Sequence, residues 1–421
     1  MSQLKTASEI LKTAAHNFDS AADRLKLDSG LRQKLSQPKE RIIITANPVM
    51  PDGKIRQFTA FVVRHSDALG PSKGGIRMTD DVTLDDVAGL AMEMSWKASL
   101  IGVPFGGGKA GICLDGGSLS KEEKEIIIRS FTRAAMRHIG PEIYIPAPDM
   151  GTNETDMGHI RDCISYSEGI SITKGCYVTG KPVILGGITG RREATGKGVV
   201  YSILAACDKV GLDIKKARAA VQGFGNVGGV AAMETAGCGA AVVAVSDISG
   251  GVFNKNGLDI EQLGNHVKRT GYVKGFKNAA AIDRQEVLEV DCDIVIPAAS
   301  QGQITAENAP KIKAKIIAEG ANAPTTPAAD EILNKRDVFV IPDILCNAGG
   351  VFVSYLEYTQ ETQREQMTLD HVNSRLNRAM NQRFEAVYDY GQKHNVTMRQ
   401  AAMELAISRV AEGVVARGFL P

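Results

Sequence analysis

Residues 219–228 read Ala-Ala-Val-Gln-Gly-Phe-Gly-Asn-Val-Gly, an apolar strand that runs directly into glycines at GxGxxG spacing and then into a helical stretch, Val230 to Ala236. This arrangement restricts the fold more than any other feature of the chain. In a strand–turn–helix unit the first glycine (Gly223) permits a tight turn, the second (Gly225) lets another group approach the backbone, and the third (Gly228) lets the helix lie close to the sheet. Asn226 and Val227 complete the turn, and the N–H groups and positive dipole end of the helix favour an anion there. A second apolar run, Ala241 to Val245, leads to the acidic Asp247, about 20 residues beyond the glycines, as a dinucleotide site requires. Glycine-rich packing would explain GxGxxG alone, but the order strand, glycines, helix, strand and acid favours a bound dinucleotide. Asp247 would then accept hydrogen bonds from the adenosine ribose, and Ile248-Ser249-Gly250-Gly251 brings no Arg or Lys to a 2′-phosphate. NAD is therefore expected ahead of NADP, unless Asp247 only caps a turn or a basic residue arrives from elsewhere in the fold.

Further apolar runs at Ile294-Val295-Ile296, Ile316-Ile317 and Val338 to Ile341 alternate with helical segments, the pattern of parallel βαβ units. A chain of 421 residues, 43% of them hydrophobic, exceeds one ordinary core, and two domains with a cleft between them are the expectation. The reading is an α/β first domain over residues 1–185, a Rossmann-like dinucleotide-binding domain over 186–346, and C-terminal helices over 347–421 that pack back on the first domain. In the first domain a capping box of Thr6 and Glu9 opens a helix to Leu25. Strands at Ile42–Ile44 and Phe58–Val63 pair around the turn Pro51-Asp52-Gly53-Lys54. A helix from Thr83 to Leu100, a strand at Ala110–Leu114, a helix opened by Ser120 and Glu123, and a strand at Ile143–Ile145 follow. In the tail, Thr397 with Gln400 starts a last helix that runs to about Arg417.

Lys plus Arg number 49 against 48 Asp plus Glu, a formal net charge of +1, so no overall field attracts nucleic acid or an anionic membrane. The seven cysteines include no CxxC pair, and the seven histidines are scattered; neither a disulfide framework nor a metal site is expected. Met1-Ser2-Gln3-Leu4-Lys5 leads into an amphipathic helix instead of an apolar signal core, and no apolar run is of membrane-spanning length. A cytoplasmic location is the expectation.

Three lysines of the first domain stand beside unusual glycine runs: Lys73 in Gly70-Pro71-Ser72-Lys73-Gly74-Gly75, Lys97 in Met94-Ser95-Trp96-Lys97 just ahead of the next run, and Lys109 in Gly106-Gly107-Gly108-Lys109-Ala110-Gly111. Any one of them alone reads as a solvated loop lysine. Together the glycines suggest backbone that turns sharply or lies against a ligand. Trp96 and Met92 read as core; Met94 reads as core that can also touch a ligand.

Gly70 to Met78, Met94 to Gly111, Pro146-Ala147-Pro148-Asp149, Gly190 to Gly198 and Asn347-Ala348-Gly349-Gly350-Val351 resemble, in order and spacing, the signature segments of the glutamate/leucine/phenylalanine/valine dehydrogenase superfamily. Within it the chain is most similar to hexameric glutamate dehydrogenases, which implies an N-terminal substrate and oligomerisation domain and a homohexamer. The resemblance implies that Lys97 holds the substrate α-carboxylate, that Lys109 is the catalytic lysine, and that Asp149 is the carboxylate that transfers protons. It places Lys73 and Ser354 on the γ-carboxylate, Thr195 and Asn347 at the nicotinamide end of the cofactor, and Asn322 in a further cofactor-facing segment. Arg191 and Arg192 share a signature segment without an assigned role. Ile188, Ser300-Gln301-Gly302 and Cys346 depart from common family patterns and bear on cofactor preference and regulation.

These residues imply interconversion of L-glutamate with 2-oxoglutarate and ammonia. Two nearby lysines and restricted water would disfavour charged Lys109, so that it serves as a base on water. Lys73 and the Ser354 hydroxyl would lie buried and unpaired beside a leucine or phenylalanine side chain, which is costly. A branched-chain or aromatic amino acid dehydrogenase would carry apolar residues at both positions. A catalytically silent dinucleotide-binding sensor would have lost Lys109 or Asp149, and both are present.

Overall fold

The computed structural model describes residues 8–170 and 175–418. The described residues of 1–191, 352–372 and 403–421 form one compact unit, and those of 192–351 and 373–402 a second.

In the first unit, helices α1 (Glu9–Arg24) and α2 (Ser29–Leu35) precede strands β1 (Glu40–Ala46), β2 (Phe58–Ser66) and β3 (Ser72–Thr79). Helix α3 (Leu84–Ile101), strand β4 (Gly106–Cys113), helix α4 (Lys121–Ala135), strand β5 (Tyr144–Pro148) and helix α5 (Glu154–Glu168) follow. The sheet order is β1-β2-β4-β3-β5. β1 and β2 pair antiparallel with Ile43 opposite Phe61, as the turn sequence between them predicts, and β3 runs parallel to both β4 and β5. Ile76 and Ile112 from the sheet bury against Phe131 of α4 and Ile160 of α5, and each such side chain contributes about 1.5–3 kcal/mol. Capping boxes start α3 (Thr83 with Asp86) and α4 (Ser120 with Glu123). Thr6 lies outside the described residues; the Ser8 hydroxyl accepts the Leu11 N–H at the start of α1.

Two expectations about this unit need correction. Ser72–Thr79, read as glycine-rich punctuation, is a central strand, and Gly106-Gly107-Gly108 belong to β4 instead of forming a turn. Their sequences lack the β-branched pattern that marks strands, because close packing excludes side chains there. A Cβ on Gly74 would meet the Gly108 carbonyl oxygen at 1.7 Å, and one on Gly107 would meet Ser95 Oγ of α3 at 2.2 Å. These glycines lie against the protein's own backbone and side chains, and the lysines beside them are set on strands.

The second unit begins with α6 (Ala194–Val210), β6 (Arg218–Gln222), α7 (Gly228–Gly237), β7 (Ala241–Asp247), β8 (Gly250–Phe253), α8 (Ile260–Thr270) and β9 (Ala280–Ile282). It continues with β10 (Ile294–Pro297), β11 (Ile316–Ala318), α9 (Pro327–Lys335), β12 (Phe339–Ile341) and α10 (Asp343–Cys346). The sheet order is β12-β11-β10-β6-β7-β8-β9. Its first five strands are parallel, as the βαβ pattern predicts; β8 and β9 add an antiparallel edge that the sequence reading lacked.

The chain ends in α11 (Gly349–Gln363), α12 (Leu369–His394) and α13 (Met398–Arg417), with Thr397 and Gln400 bonding reciprocally at the start of α13. Residues 352–372 and 403–421 belong to the first unit and 373–402 to the second, so the C-terminal helices do not form one block. Aromatic packing accounts for the difference, since Phe384 of α12 stacks on Phe339 of β12 at 6.2 Å. Among the described residues no helix is long and apolar enough to cross a membrane.

Candidate active site

The first unit carries Lys73 on β3, Met94 and Lys97 on α3, Lys109 on β4, Asp149 just after β5, and Ser354 on α11. Lys73, Lys97 and Lys109 retain 2%, 4% and 4% of their surface exposure, so none is a solvated loop lysine. Burying a cation is costly unless something compensates it. For Lys109 that is Asp149, whose carboxylate its ammonium contacts directly. The acid is held in place locally: its Oδ1 accepts the Met150 N–H at 2.7 Å, its own N–H donates to Thr152 Oγ1 at 2.9 Å, and Thr152 Oγ1 in turn donates to the Ile76 carbonyl at 2.8 Å.

Burial pushes the Lys109 pKa below its ordinary value, Arg77 and Lys97 push it the same way, and Asp149 opposes them. For Asp149, burial would raise the carboxyl, but Lys109 and Arg77 outweigh it and hold the pKa below the usual carboxylate value. Arg77 is thus a cation of this site that sequence reasoning missed. Its Nε is buried without a hydrogen-bond partner. The signal was available in Gly74-Gly75-Ile76-Arg77, two residues past the glycines, but the strand that turns Arg77 toward Asp149 was not.

A second group forms around Lys73. Arg191 Nε donates to Ser354 Oγ at 2.8 Å, so of the two arginines left without a role it is Arg191 that reaches the expected substrate residues. Burial lowers the Lys73 pKa to about 7, and Arg191 is the next contributor. Met94 sits near the same strand, its Cγ 3.4 Å from where a Cβ on Gly74 would stand.

The second unit carries the dinucleotide residues. Gly223 has φ of +92°, a left-handed value that only glycine adopts without strain. A Cβ on Gly228 would lie 1.9 Å from the Gly223 carbonyl oxygen, whereas one on Gly225 would meet nothing within 4 Å. The turn is therefore closed by Gly223 and Gly228 and open at Gly225, the side from which a pyrophosphate would approach Asn226, Val227 and the start of α7. Thr195 stands in the first turn of α6, and its neighbour Gly196 abuts this turn, since a Cβ there would lie 2.9 Å from the Val227 carbonyl oxygen. Asn347 Nδ2 reaches the Ala321 carbonyl and Asn322 Oδ1, each at 3.1 Å. Its own Oδ1 is buried without a partner, an acceptor that suits a carboxamide such as that of nicotinamide. Asp247 is partly engaged: Oδ1 accepts from Ser249 N–H at 2.7 Å and Oδ2 from Val273 N–H at 2.7 Å. A carboxylate has lone pairs left for a ribose hydroxyl, so the turn-capping contacts do not preclude a ribose contact. The residues present fit a nicotinamide dinucleotide.

Residues 38–166 match the family model for the Glu/Leu/Phe/Val dehydrogenase dimerisation domain, and residues 186–418 match that for Glutamate/Leucine/Phenylalanine/Valine dehydrogenase. The chain belongs to the glutamate/leucine/phenylalanine/valine dehydrogenase family. Among relatives of this dehydrogenase, the glutamate dehydrogenase of Thermotoga maritima is 47% identical over 414 residues, covering 98% of this chain and 99% of that one. The NAD-specific glutamate dehydrogenase A of Halobacterium salinarum is 41% identical, covering 98% and 94%. Of solved structures, the hetero-hexameric glutamate dehydrogenase of Thermus thermophilus in its Leu-bound form superposes with a TM-score of 0.94 at 32% identity, covering 98% of each chain. The two-domain α/β architecture, with a Rossmann-like sheet and C-terminal helices, is that of this dehydrogenase family.

Proposed function

We propose that this dehydrogenase oxidatively deaminates L-glutamate to 2-oxoglutarate and ammonia with NAD or NADP as acceptor, and runs the reverse reductive amination. The observation that carries the choice of glutamate is the group formed by the buried Lys73 and Ser354 with the half-buried Arg191. An aliphatic or aromatic side chain would leave the charges of Lys73 and Arg191 without an anion, whereas a γ-carboxylate pairs with them. The names of the Thermotoga and Halobacterium relatives support the same substrate, and the second name, with the absence of a basic residue in 248–251, supports NAD as the preferred cofactor.

In this reading Lys97 holds the α-carboxylate, Lys73 with Arg191 and Ser354 the γ-carboxylate, and Met94 offers an apolar contact. Clamping both ends of the substrate fixes Cα in one orientation. NAD or NADP, when bound, accepts the hydride that leaves Cα. Gly223, Gly225, Asn226, Val227 and Gly228 would hold its pyrophosphate, Asp247 its ribose, and Thr195, Asn322 and Asn347 its nicotinamide end. Burial, Arg77 and Lys97 disfavour the charged form of Lys109, and in its neutral form it takes a proton from water as the oxygen adds to the imine carbon. Asp149, ionised and in contact with Lys109, accepts that proton from the Lys109 ammonium and passes it to the nitrogen as the C–N bond breaks and ammonia leaves.

Two further properties belong to this reading. β1 is an edge strand with Ile43 63% exposed, and it lies inside the stretch matching a dimerisation domain; these support self-assembly, to a homohexamer. All seven cysteines are free thiols, which supports the reducing cytoplasm as the location. The deciding experiment is a matrix of initial rates for glutamate, leucine, valine and phenylalanine, each with NAD and with NADP. Rates highest on glutamate support the assignment, and rates highest on an apolar amino acid end it.

A further inference from the structure

Ala323 ends the bend Gly320-Ala321-Asn322-Ala323 that follows β11, and its φ is +43°. A side chain in this left-handed region is strained, and an alanine ahead of a proline, here Pro324, is extended when nothing restrains it. Strain of this kind persists only where surrounding groups impose it. The group that does so is Asp343, buried at the start of α10. Its Oδ2 accepts the Ala323 N–H at 2.8 Å and its Oδ1 the Ile344 N–H at 2.8 Å. The Ala323 carbonyl in turn accepts the Gly302 N–H at 2.9 Å.

Asp343 is itself fixed. Glu319, the residue just before the bend, is fully buried and accepts the Asp343 N–H at 2.9 Å. Arg399 of α13 grips Glu319 with both terminal nitrogens, at 2.9 and 2.6 Å, and donates from Nε to Asp330 at 3.1 Å. The same bend holds the expected cofactor-facing residues. Asn322 is one of its members, and Asn347 donates to the Gly320 carbonyl at 3.3 Å, the Ala321 carbonyl at 3.1 Å and Asn322 Oδ1 at 3.1 Å. Those bonds set where the Asn347 Oδ1, buried without a partner, is presented.

We propose that Asp343 is a positioning residue for the nicotinamide end of the cofactor: by holding Ala323 left-handed, it keeps the bend in the form that presents Asn322 and Asn347. This role rests on those two asparagines meeting the nicotinamide end, as in the proposed function. Without the carboxylate, Ala323 relaxes toward extended backbone. A site formed in only about a tenth of the molecules binds its ligand about tenfold more weakly. Tenfold is about 1.4 kcal/mol, the size of the strain at one left-handed alanine. Glycine in place of Ala323 adopts positive φ about as readily as negative, so the bend then needs the carboxylate far less.

The test is calorimetric titration of the full chain with NAD and with ADP-ribose, which lacks the nicotinamide. The proteins are wild type, Asp343→Asn, Ala323→Gly, the two changes together, and Asn347→Ala. Asn keeps the size of Asp but turns an NH₂ donor toward one of the two N–H groups. In Asp343→Asn the Kd for NAD rises roughly tenfold, while that for ADP-ribose stays within about twofold, since the pyrophosphate and ribose contacts lie elsewhere. Made on Ala323→Gly, the same change raises the Kd for NAD by no more than about threefold. A merely structural carboxylate would weaken both ligands alike and gain nothing from glycine. Equal losses on the two ligands, an unmoved Kd for NAD, or the full tenfold loss on Ala323→Gly overturns the proposal, as does failure of Asp343→Asn to fold in either background. Asn347→Ala separates this role from the reading beneath it. Wild-type affinity for NAD there ends the asparagine assignment and the role with it, whereas a loss there with none in Asp343→Asn ends the role of Asp343 alone.

Discussion

Arg191 and Ser354, 163 residues apart in sequence, meet at 2.8 Å between Nε and Oγ. The contact joins the start of a signature segment to α11 and adds Arg191 to the proposed side-chain pocket of Lys73 and Ser354. Lys73→Leu should lose most glutamate activity. Replacing Lys73 by Leu and Ser354 by Val still leaves the half-buried charge of Arg191, so strong norvaline activity should require Arg191→Leu as well. A site that pairs a polar group discriminates by about 10⁴-fold against an analogue lacking it. Comparing kcat/KM for glutamate and norvaline across the single, double and triple variants checks this, and wild-type efficiency in Lys73→Leu would remove Lys73 from the pocket.

Lys109→Ala and Asp149→Asn should each lower turnover by at least about a hundredfold, the lower range for a positioned acid or base, with cofactor binding intact. Their direct contact predicts more: a double variant should lose far less than the product of the single losses, because the pair works as a unit. Stopped-flow turnover and dinucleotide titration of the purified proteins measure both.

The depressed pKa of Lys73, about 7, gives the pH profile a sign. Neutral Lys73 no longer pairs with a γ-carboxylate, so kcat/KM for glutamate should fall as pH rises through that value. Bound substrate restores the charge, so kcat should not show this fall. Matching descending limbs in both profiles would place the titration elsewhere.

Asp247→Ser with Ser249→Arg should shift preference toward NADP, since Asp247 would repel a 2′-phosphate. Asp247 also accepts the Val273 N–H, so the single Asp247→Ser change should weaken NAD binding through loosening of that loop. The ratio of kcat/KM for NAD and NADP decides it; a wild type that already prefers NADP contradicts the role of Asp247.

His65 is buried with Nε2 3.0 Å from the Leu35 carbonyl and Nδ1 2.7 Å from Ser95 Oγ, so that the neutral ring donates from Nε2. Burial lowers its pKa from 6.5 to about 4. The unfolded chain binds this proton and the folded one does not, so stability should fall as pH drops from 6.5 toward 4, by at most about 1.4 kcal/mol per pH unit. Denaturant midpoints over this range should decline less steeply in His65→Gln.

The sequence by itself determined the dinucleotide unit, because each of its demands is local: Gly223 adopts a positive φ, Gly228 abuts the preceding turn, and Asp247 ends the next strand. It likewise specified the starts of α3, α4 and α13, where a cap needs only residues three apart. Only the tertiary structure decided that Ser72–Thr79 is a strand, because its glycines answer to Gly108 and Asp149 and not to any local pattern. It also chose Arg191 over Arg192, brought Arg77 to Asp149 and divided the C-terminal helices between two units. Charge and packing at those places depend on groups more than 30 residues away in the chain, and periodicity read along a sequence carries no record of what lies across a sheet.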